Sequence, residues 1–422
     1  MMPYSPPRRS RRMSLVLAVV AAAGVACRRV EAPAPVTSHP SVVSETDVRD
    51  RDIEFYRERV QRDPSGAFDL ARLSALYLQR SRESGDWRDA AQAESLSRRS
   101  LHNRRERNDG AAQVLASSLL TQHRFDEALE IARGLRDRNP TLASMRAMVA
   151  EIQMELGMYD SARVAFDSLE SARSDLTVAP RLARWAEIQG RSDDARRLMR
   201  HSLALAKRDA RTPREQIAWF WLRLGDIELR AGRFAAADST YTAGLAIQPG
   251  DYRLLAALAH LAFVESRWSD AIKYGDEAIA QNLDPATLGI LADAHTALGD
   301  TARGREYARA LDVAVRSQPG AYHRAWSLFL LDHGRQTATV TRKINDELRT
   351  RRDIYGYDLL AWSLYKQGRN ADARRAITHA LAEGTRDAQL FYHAARIEQA
   401  TGHAATADSL LAQARALNPS LK

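Results

Sequence analysis

Residues Trp221 to Pro249 read WLRLGDIELRAGRFAAADSTYTAGLAIQP, and this stretch decides the fold. Trp221, Leu224 and Gly225 fall at helical spacing on one face of a first segment, and Phe234, Ala237, Tyr241 and Leu245 do so on a second. Gly232 and Arg233 break the pattern between them, and Pro249 ends it. This predicts an amphipathic helical hairpin with a glycine turn. Neither helix can bury its apolar stripe alone, so the hairpin predicts neighbours of its own kind.

Those neighbours are found by counting from the turn. Five residues after Gly232 stands Ala237. Equivalent pairs recur at Gly85/Ala90, His123/Ala128, Gly157/Ala162, Gly190/Ala195, Ser266/Ala271, Gly299/Gly304, Gly334/Thr339, Gly368/Ala373 and Gly402/Ala407. From Ala90 onward the second members are 38, 34, 33, 42, 34, 33, 35, 34 and 34 residues apart. Glycine tolerates the left-handed backbone of a tight helix–helix turn, and alanine lets two helix backbones approach closely. The ladder predicts an all-α chain of about ten hairpins stacked in sequence into an elongated rod.

The period, with Trp221-x-x-Leu224-Gly225, Ala237, Tyr241 and Pro249 in order, resembles the tetratricopeptide repeat. The resemblance spans roughly residues 71 to 419, with the hairpins at Gly304 and Thr339, and the first one, departing from the pattern. It implies a right-handed α-solenoid whose concave groove is presented to a protein or peptide partner. In that family a fixed set of positions on each hairpin lines the groove. Carried onto this chain, they are Trp219, Asp226 and Arg230, then Arg253, His260 and Phe263, then Asp293, Arg324 and Asp332. Further along they are Tyr355, Asp358, Trp362, Tyr365 and Lys366, and finally Tyr392 and Arg396. Rigid aromatic rings among charges suit recognition of an extended peptide, although the same rings also suit packing between hairpins. None of these positions is Asn, so the Asn/Lys clamp with which one class of the family holds a peptide carboxylate is not implied.

The start of the chain has a different character. Arg8, Arg9, Arg11 and Arg12 precede an apolar run from Met13 to Ala26, too short for a membrane span of about 20 residues. Gly24-Val25-Ala26 offers a small-residue cleavage site before Cys27, the only cysteine. The arrangement resembles a bacterial lipoprotein signal, with Gly24 where Leu is usual, and implies a lipidated Cys27 and a membrane-anchored protein facing the periplasm. Ordinary signal cleavage to a soluble periplasmic protein is the other reading. Residues 27–47, with Pro33, Pro35 and Pro40, predict a disordered tether. Residues 48–64 predict a capping helix with Ile53, Tyr56 and Val60 as its stripe, followed by repeats over 65–211 and 212–422. The boundary rests on the 42-residue spacing and on Thr212-Pro213-Arg214-Glu215, which reads as an N-cap Thr, a Pro at the first helical position and a reciprocating Glu. At the other end Leu410, Leu411 and Leu417 predict either a face open to self-association or a surface too alanine-rich to need a cap.

Charge and motifs narrow the function. The formal charge of +9 includes the four arginines of the leader, and no Lys/Arg run is interleaved with aromatics, so no nucleic-acid partner is expected. The eleven histidines form no H-E-x-x-H and have no cysteine partner, so no metal is expected. No G-x-S-x-G and no phosphate-cradling strand–helix turn occurs, so neither catalytic residues nor a cofactor are expected. The sequence reads as a non-catalytic scaffold in the cell envelope that binds a protein or peptide in its concave groove. The alternative is a binder of an anionic envelope polymer or glycolipid through groove arginines and aromatics.

Overall fold

The computed structural model describes residues 44–317 and 324–421. Helix α1 (Glu45–Arg62) comes first, capped by the Ser44 hydroxyl, which accepts from the amide of Asp47. Ten helical pairs follow. They are α2 (Ala67–Ser84) with α3 (Trp87–Asn103), α4 (Asp109–Thr121) with α5 (Phe125–Arg138), and α6 (Ala143–Glu155) with α7 (Tyr159–Asp167). Next come α8 (Ala179–Ile188) with α9 (Ser192–Arg208), α10 (Arg214–Arg230) with α11 (Phe234–Ile247), and α12 (Tyr252–Val264) with α13 (Trp268–Ile279). The last four are α14 (Pro285–Ala297) with α15 (Thr301–Arg316), α16 (Arg324–Asp332) with α17 (Thr337–Glu347), α18 (Ile354–Tyr365) with α19 (Asn370–Leu381), and α20 (Ala388–Ala400) with α21 (Ala404–Leu417). Each pair packs on the next, and no strand occurs among the described residues. The fold is an all-α solenoid of tetratricopeptide-like hairpins.

The turn ladder has a backbone cause. All ten turn positions take a left-handed conformation, with φ from 58° at Ser266 to 89° at Gly299. His123 and Ser266 adopt it without being glycine, at a cost of about 1–2 kcal/mol each. Ser266→Gly is therefore expected to raise stability by about 1 kcal/mol, read as a higher denaturation midpoint with an unchanged slope. The alanines at the packing position are buried, and Gly304 fills the same place where a β-carbon would lie 2.8 Å from the Ala292 carbonyl oxygen.

Two local expectations are corrected. After Gly334 the turn is one residue longer, with Gln336 also left-handed, so α17 starts late and the buried position is Val340 rather than Thr339. At the middle boundary Thr212 lies in a turn closed on Asp209, and Pro213, not Thr212, occupies the N-cap of α10. No capping box forms there. The Arg214 amide is instead satisfied by the Glu45 carboxylate of α1 at 3.0 Å, while Glu215 is buried and paired with Arg253. At the C-terminal end Leu410 and Leu417 are buried and Leu411 is partly so, which leaves no open leucine face.

The array coils until one turn of the solenoid touches the next. The Arg352 amide donates to the Leu156 carbonyl at 2.9 Å, and the Ile354 amide donates to the Tyr159 hydroxyl at 2.9 Å. Arg351 reaches Glu155 at 2.8 Å, Arg163 pairs with Glu383 at 2.9 Å, and the Thr385 hydroxyl donates to the Ile188 carbonyl. The partners in three of these contacts are 195, 196 and 197 residues apart in sequence. That is roughly six repeats of about 34 residues per coil turn. The helix turns at Gly157 and Gly190 thus rest on the loops that lead into α18 and α20. An open rod, expected from the repeats alone, is replaced by a coil with a closed seam.

Candidate functional site

Several of the groove residues read from the sequence are committed to holding the coil together. Arg253 bridges Asp251 at 2.6 Å and Glu215 at 2.7 Å. Arg324 pairs with Asp353 at 2.7 Å and Glu347 at 2.9 Å. Trp362 is buried between hairpins. Its indole N–H donates to Asp332 at 2.8 Å, and its ring stacks on His393 at 4.1 Å and on Tyr365 at 5.1 Å. Asp358 lies 2.9 Å from Nδ1 of His393, and Tyr392 flanks Trp362 at 6.2 Å. Phe263 meets Trp268 edge-on at 5.3 Å, and Trp219 meets Phe220 at 5.1 Å, both partly buried. Asp293 pairs with His333 at 2.9 Å, and burial raises its carboxyl pKa against the pull of that histidine. Lys366 and Arg396 are exposed, Lys366 with its ammonium 4.7 Å from the Trp362 ring centre.

Another subset converges. Asp226 and Arg230 from α10, His260 from α12 and Tyr355 from α18 act on one another electrostatically, together with Asp387 at the start of α20. His260 is exposed to solvent, and yet burial lowers its pKa, Asp226 and Asp387 raising it and Arg230 lowering it further. Burial also raises the Tyr355 phenol, opposed by Arg184 and Arg230. Asp226 accepts from Arg223 at 2.7 Å and from the Tyr241 hydroxyl at 2.9 Å, which fixes it against the α10–α11 hairpin.

The cluster has members that sequence reasoning missed. Arg184 and Glu187 come from α8, and Glu187 accepts from Arg230 at 2.5 Å and Arg223 at 3.0 Å. Burial disfavours the Glu187 charge, but Arg230, Arg223 and Arg184 outweigh it and hold its pKa below the usual glutamate range. A sequence signal for Arg184 existed. It stands six residues before the turn at Gly190, as Asp226 does before Gly232 and His260 before Ser266. The lining is mixed in sign, with acids interleaved among the arginines. Two clefts beside the seam, at Arg197–Arg233–Leu417 and at Phe125–Lys343–Arg351, are lined by none of these residues. Among the described residues no group of three His, Cys, Asp or Glu side chains could hold a metal.

Cys27 lies outside the described residues. No described helix is long and apolar enough to cross a membrane. No protein family matches the chain. No curated protein matches it either. Among solved structures it is similar to a chain of the APC/C hetero-tetramer Cut9-Hcn1, over 89% of this chain and 91% of that one, at 12% identity and a TM-score of 0.35. At that level of likeness no site residue carries across, and the family stays a resemblance of repeat pattern.

Proposed function

We propose that this protein is a non-catalytic scaffold that binds a protein or peptide partner along the inner face of its coil, and that its N-terminal segment holds it at a bacterial envelope membrane through Cys27. The observation that carries the binding reading is the exposed His260 on a wall of unlike side chains drawn from α8, α10, α12 and α18, with Asp387 at the cap of α20. Acids at Glu187, Asp226 and Asp387 alternate with arginines there, which suits a peptide of mixed charge and opposes a polyanion. The rigid coil presents this wall with little ordering cost on binding.

The test is a crosslinked pull-down from envelope membranes. His260→Glu on this wall and Lys366→Glu/Arg396→Glu at the exposed cations of α18 and α20 are expected to lower recovery of a partner at least about tenfold, as an added like charge or the loss of one or two charged contacts does. Equal recovery by wild type and both variants would end the inner-face assignment. Capture that collapses steeply with salt in all three would favour the envelope polymer. In the same preparation Cys27→Ser is expected to leave the membrane fraction, and its continued sedimentation with membranes would remove the lipid anchor.

A further inference from the structure

Arg184 is a cation without a hydrogen-bonding partner. A guanidinium carries five N–H donors, and that of Arg184 hydrogen-bonds no described residue. Its nearest carboxylates are Glu187 at 3.9 Å and Glu155 at 4.0 Å, and its Nη1 is shielded from solvent with no partner. Both carboxylates are already engaged. Glu155 takes Arg351 at 2.8 Å, and Glu187 takes Arg230 and Arg223. Asp387, the other acid on this wall, caps α20 by accepting from the amides of Gln389 and Leu390.

Opposite Arg184, on the neighbouring coil turn, stands Tyr355. Its ring centre is 5.8 Å from the Arg184 guanidinium carbon, and its hydroxyl hydrogen-bonds no described residue. Arg230 spends one hydrogen bond on Glu187 and keeps its remaining donors. Buried donors left unmade are rare in folded proteins, and each asks for an acceptor. Here the Arg184 Nη1 is such a donor, and beside it the partly exposed Tyr355 hydroxyl and the spare donors of Arg230, which acts electrostatically on both, have no hydrogen-bond partner among the described residues.

We propose that Arg184 and Tyr355, backed by Arg230, form a binding site for a single carboxylate group, held between two turns of the coil. A carboxylate accepts two parallel bonds from a guanidinium fork and still has lone pairs for a hydroxyl. Glu155, Glu187 and Asp387 surround the site and repel a doubly charged ligand, so phosphate fits poorly. The carboxylate comes either from a small free acid or from an acidic side chain of a bound peptide. Only the second source rests on the partner-binding reading above. Because α8 and α18 belong to different coil turns, the ligand ties the seam and stabilises the closed coil.

The test uses full-length protein at fixed ionic strength, with chloride replaced stepwise by acetate and thermal unfolding as the readout. Acetate is expected to raise the melting temperature saturably. Arg184→Gln is expected to abolish that rise, and Tyr355→Phe, which keeps the ring, to weaken the apparent affinity about tenfold. If Arg184→Gln does not fold by circular dichroism, Tyr355→Phe carries the test alone. An unchanged response in the folded variants overturns the site, as does an equal response to phosphate. A blocked peptide, acetyl-Gly-Glu-Gly-amide, that competes with acetate while its Gln counterpart does not assigns the site to peptides. Competition by neither peptide assigns it to a free acid. An acetate response that stands while no partner is ever captured leaves the site intact and removes only the scaffold reading. Captured partner without any acetate response removes only the site.

Discussion

Gly190→Ala is expected to open the seam, whereas the same change at Gly402 leaves it closed. Both glycines sit at helix turns with positive φ, so alanine costs about 1–2 kcal/mol at either place. Their surroundings differ. A β-carbon at Gly402 meets nothing within 4 Å, while at Gly190 it would collide with the backbone carbonyl of Gly384 on the adjoining coil turn. Backbone cannot rotate out of the way as a long side chain can, so overpacking adds about 1–3 kcal/mol or the turns part. Gly157 is in the same position, with the Asp353 amide nitrogen 2.7 Å from the added carbon. Melting curves of Gly157→Ala, Gly190→Ala and Gly402→Ala, with small-angle scattering for the radius of gyration, decide the matter. The first two should be less stable and larger. A Gly190→Ala protein as compact and as stable as Gly402→Ala would show that the coil turns do not touch in solution.

Asp353→Ala should be the most damaging change at a charged residue. The Asp353 carboxylate is buried, caps α18 through the amides of Tyr355 and Gly356, and pairs with Arg324 at 2.7 Å and Arg351 at 2.8 Å. Removing it takes one carboxylate from each of two enclosed guanidiniums, leaving Arg324 with Glu347 and Arg351 with Glu155, a loss of about 3 kcal/mol, with about 1 kcal/mol more for the cap. Burial opposes its charge, but Arg324, Arg351 and the Gly356 amide outweigh that and hold its pKa below the usual aspartate range. A carboxyl with a lower value folded than unfolded stabilises the fold above its unfolded value, about 3.9. That contribution is lost as pH falls through the folded value. The difference between wild type and Asp353→Ala should therefore be full near neutrality and shrink in acid below about pH 4. Glu347 in the same cluster is pushed upward, because burial outweighs its pairing with Arg324 and Arg351. Chemical denaturation at several pH values measures the difference, and a gap that did not narrow in acid would put the loss down to packing rather than charge.

The repeats were legible because their signals are local. A turn position, a small residue five places on and a 3.6-residue stripe all lie within one hairpin, and the left-handed φ at His123 and Ser266 shows that the count outranks residue identity. Gln336 was not legible, since a one-residue longer turn leaves composition untouched and moves the packing position to Val340. Trp362 illustrates the limit on the site. Its register is that of Asp226 and His260, yet an indole there is drawn in between Tyr365 and His393, while an exposed imidazole or a carboxylate stays on the wall. Pairing across the seam, as between Arg351 and Glu155, depends on the pitch of the coil, which is a sum of small rotations that no single hairpin encodes.

The seam also changes what kind of object the chain is thermodynamically. In a strip of modules that meet only their immediate neighbours, free energy is a nearest-neighbour sum and the ends fray independently. Contacts between residues about 195 apart, such as Ile354 with Tyr159, add terms that link early modules to late ones. Closing them demands a long loop before any reward arrives, so assembly is slower and more all-or-none than in an uncoiled array. Loss of α18 to α21 would strip the α6–α7 and α8–α9 corners of their cover, and these modules cannot be shortened or exchanged as freely as beads on a string.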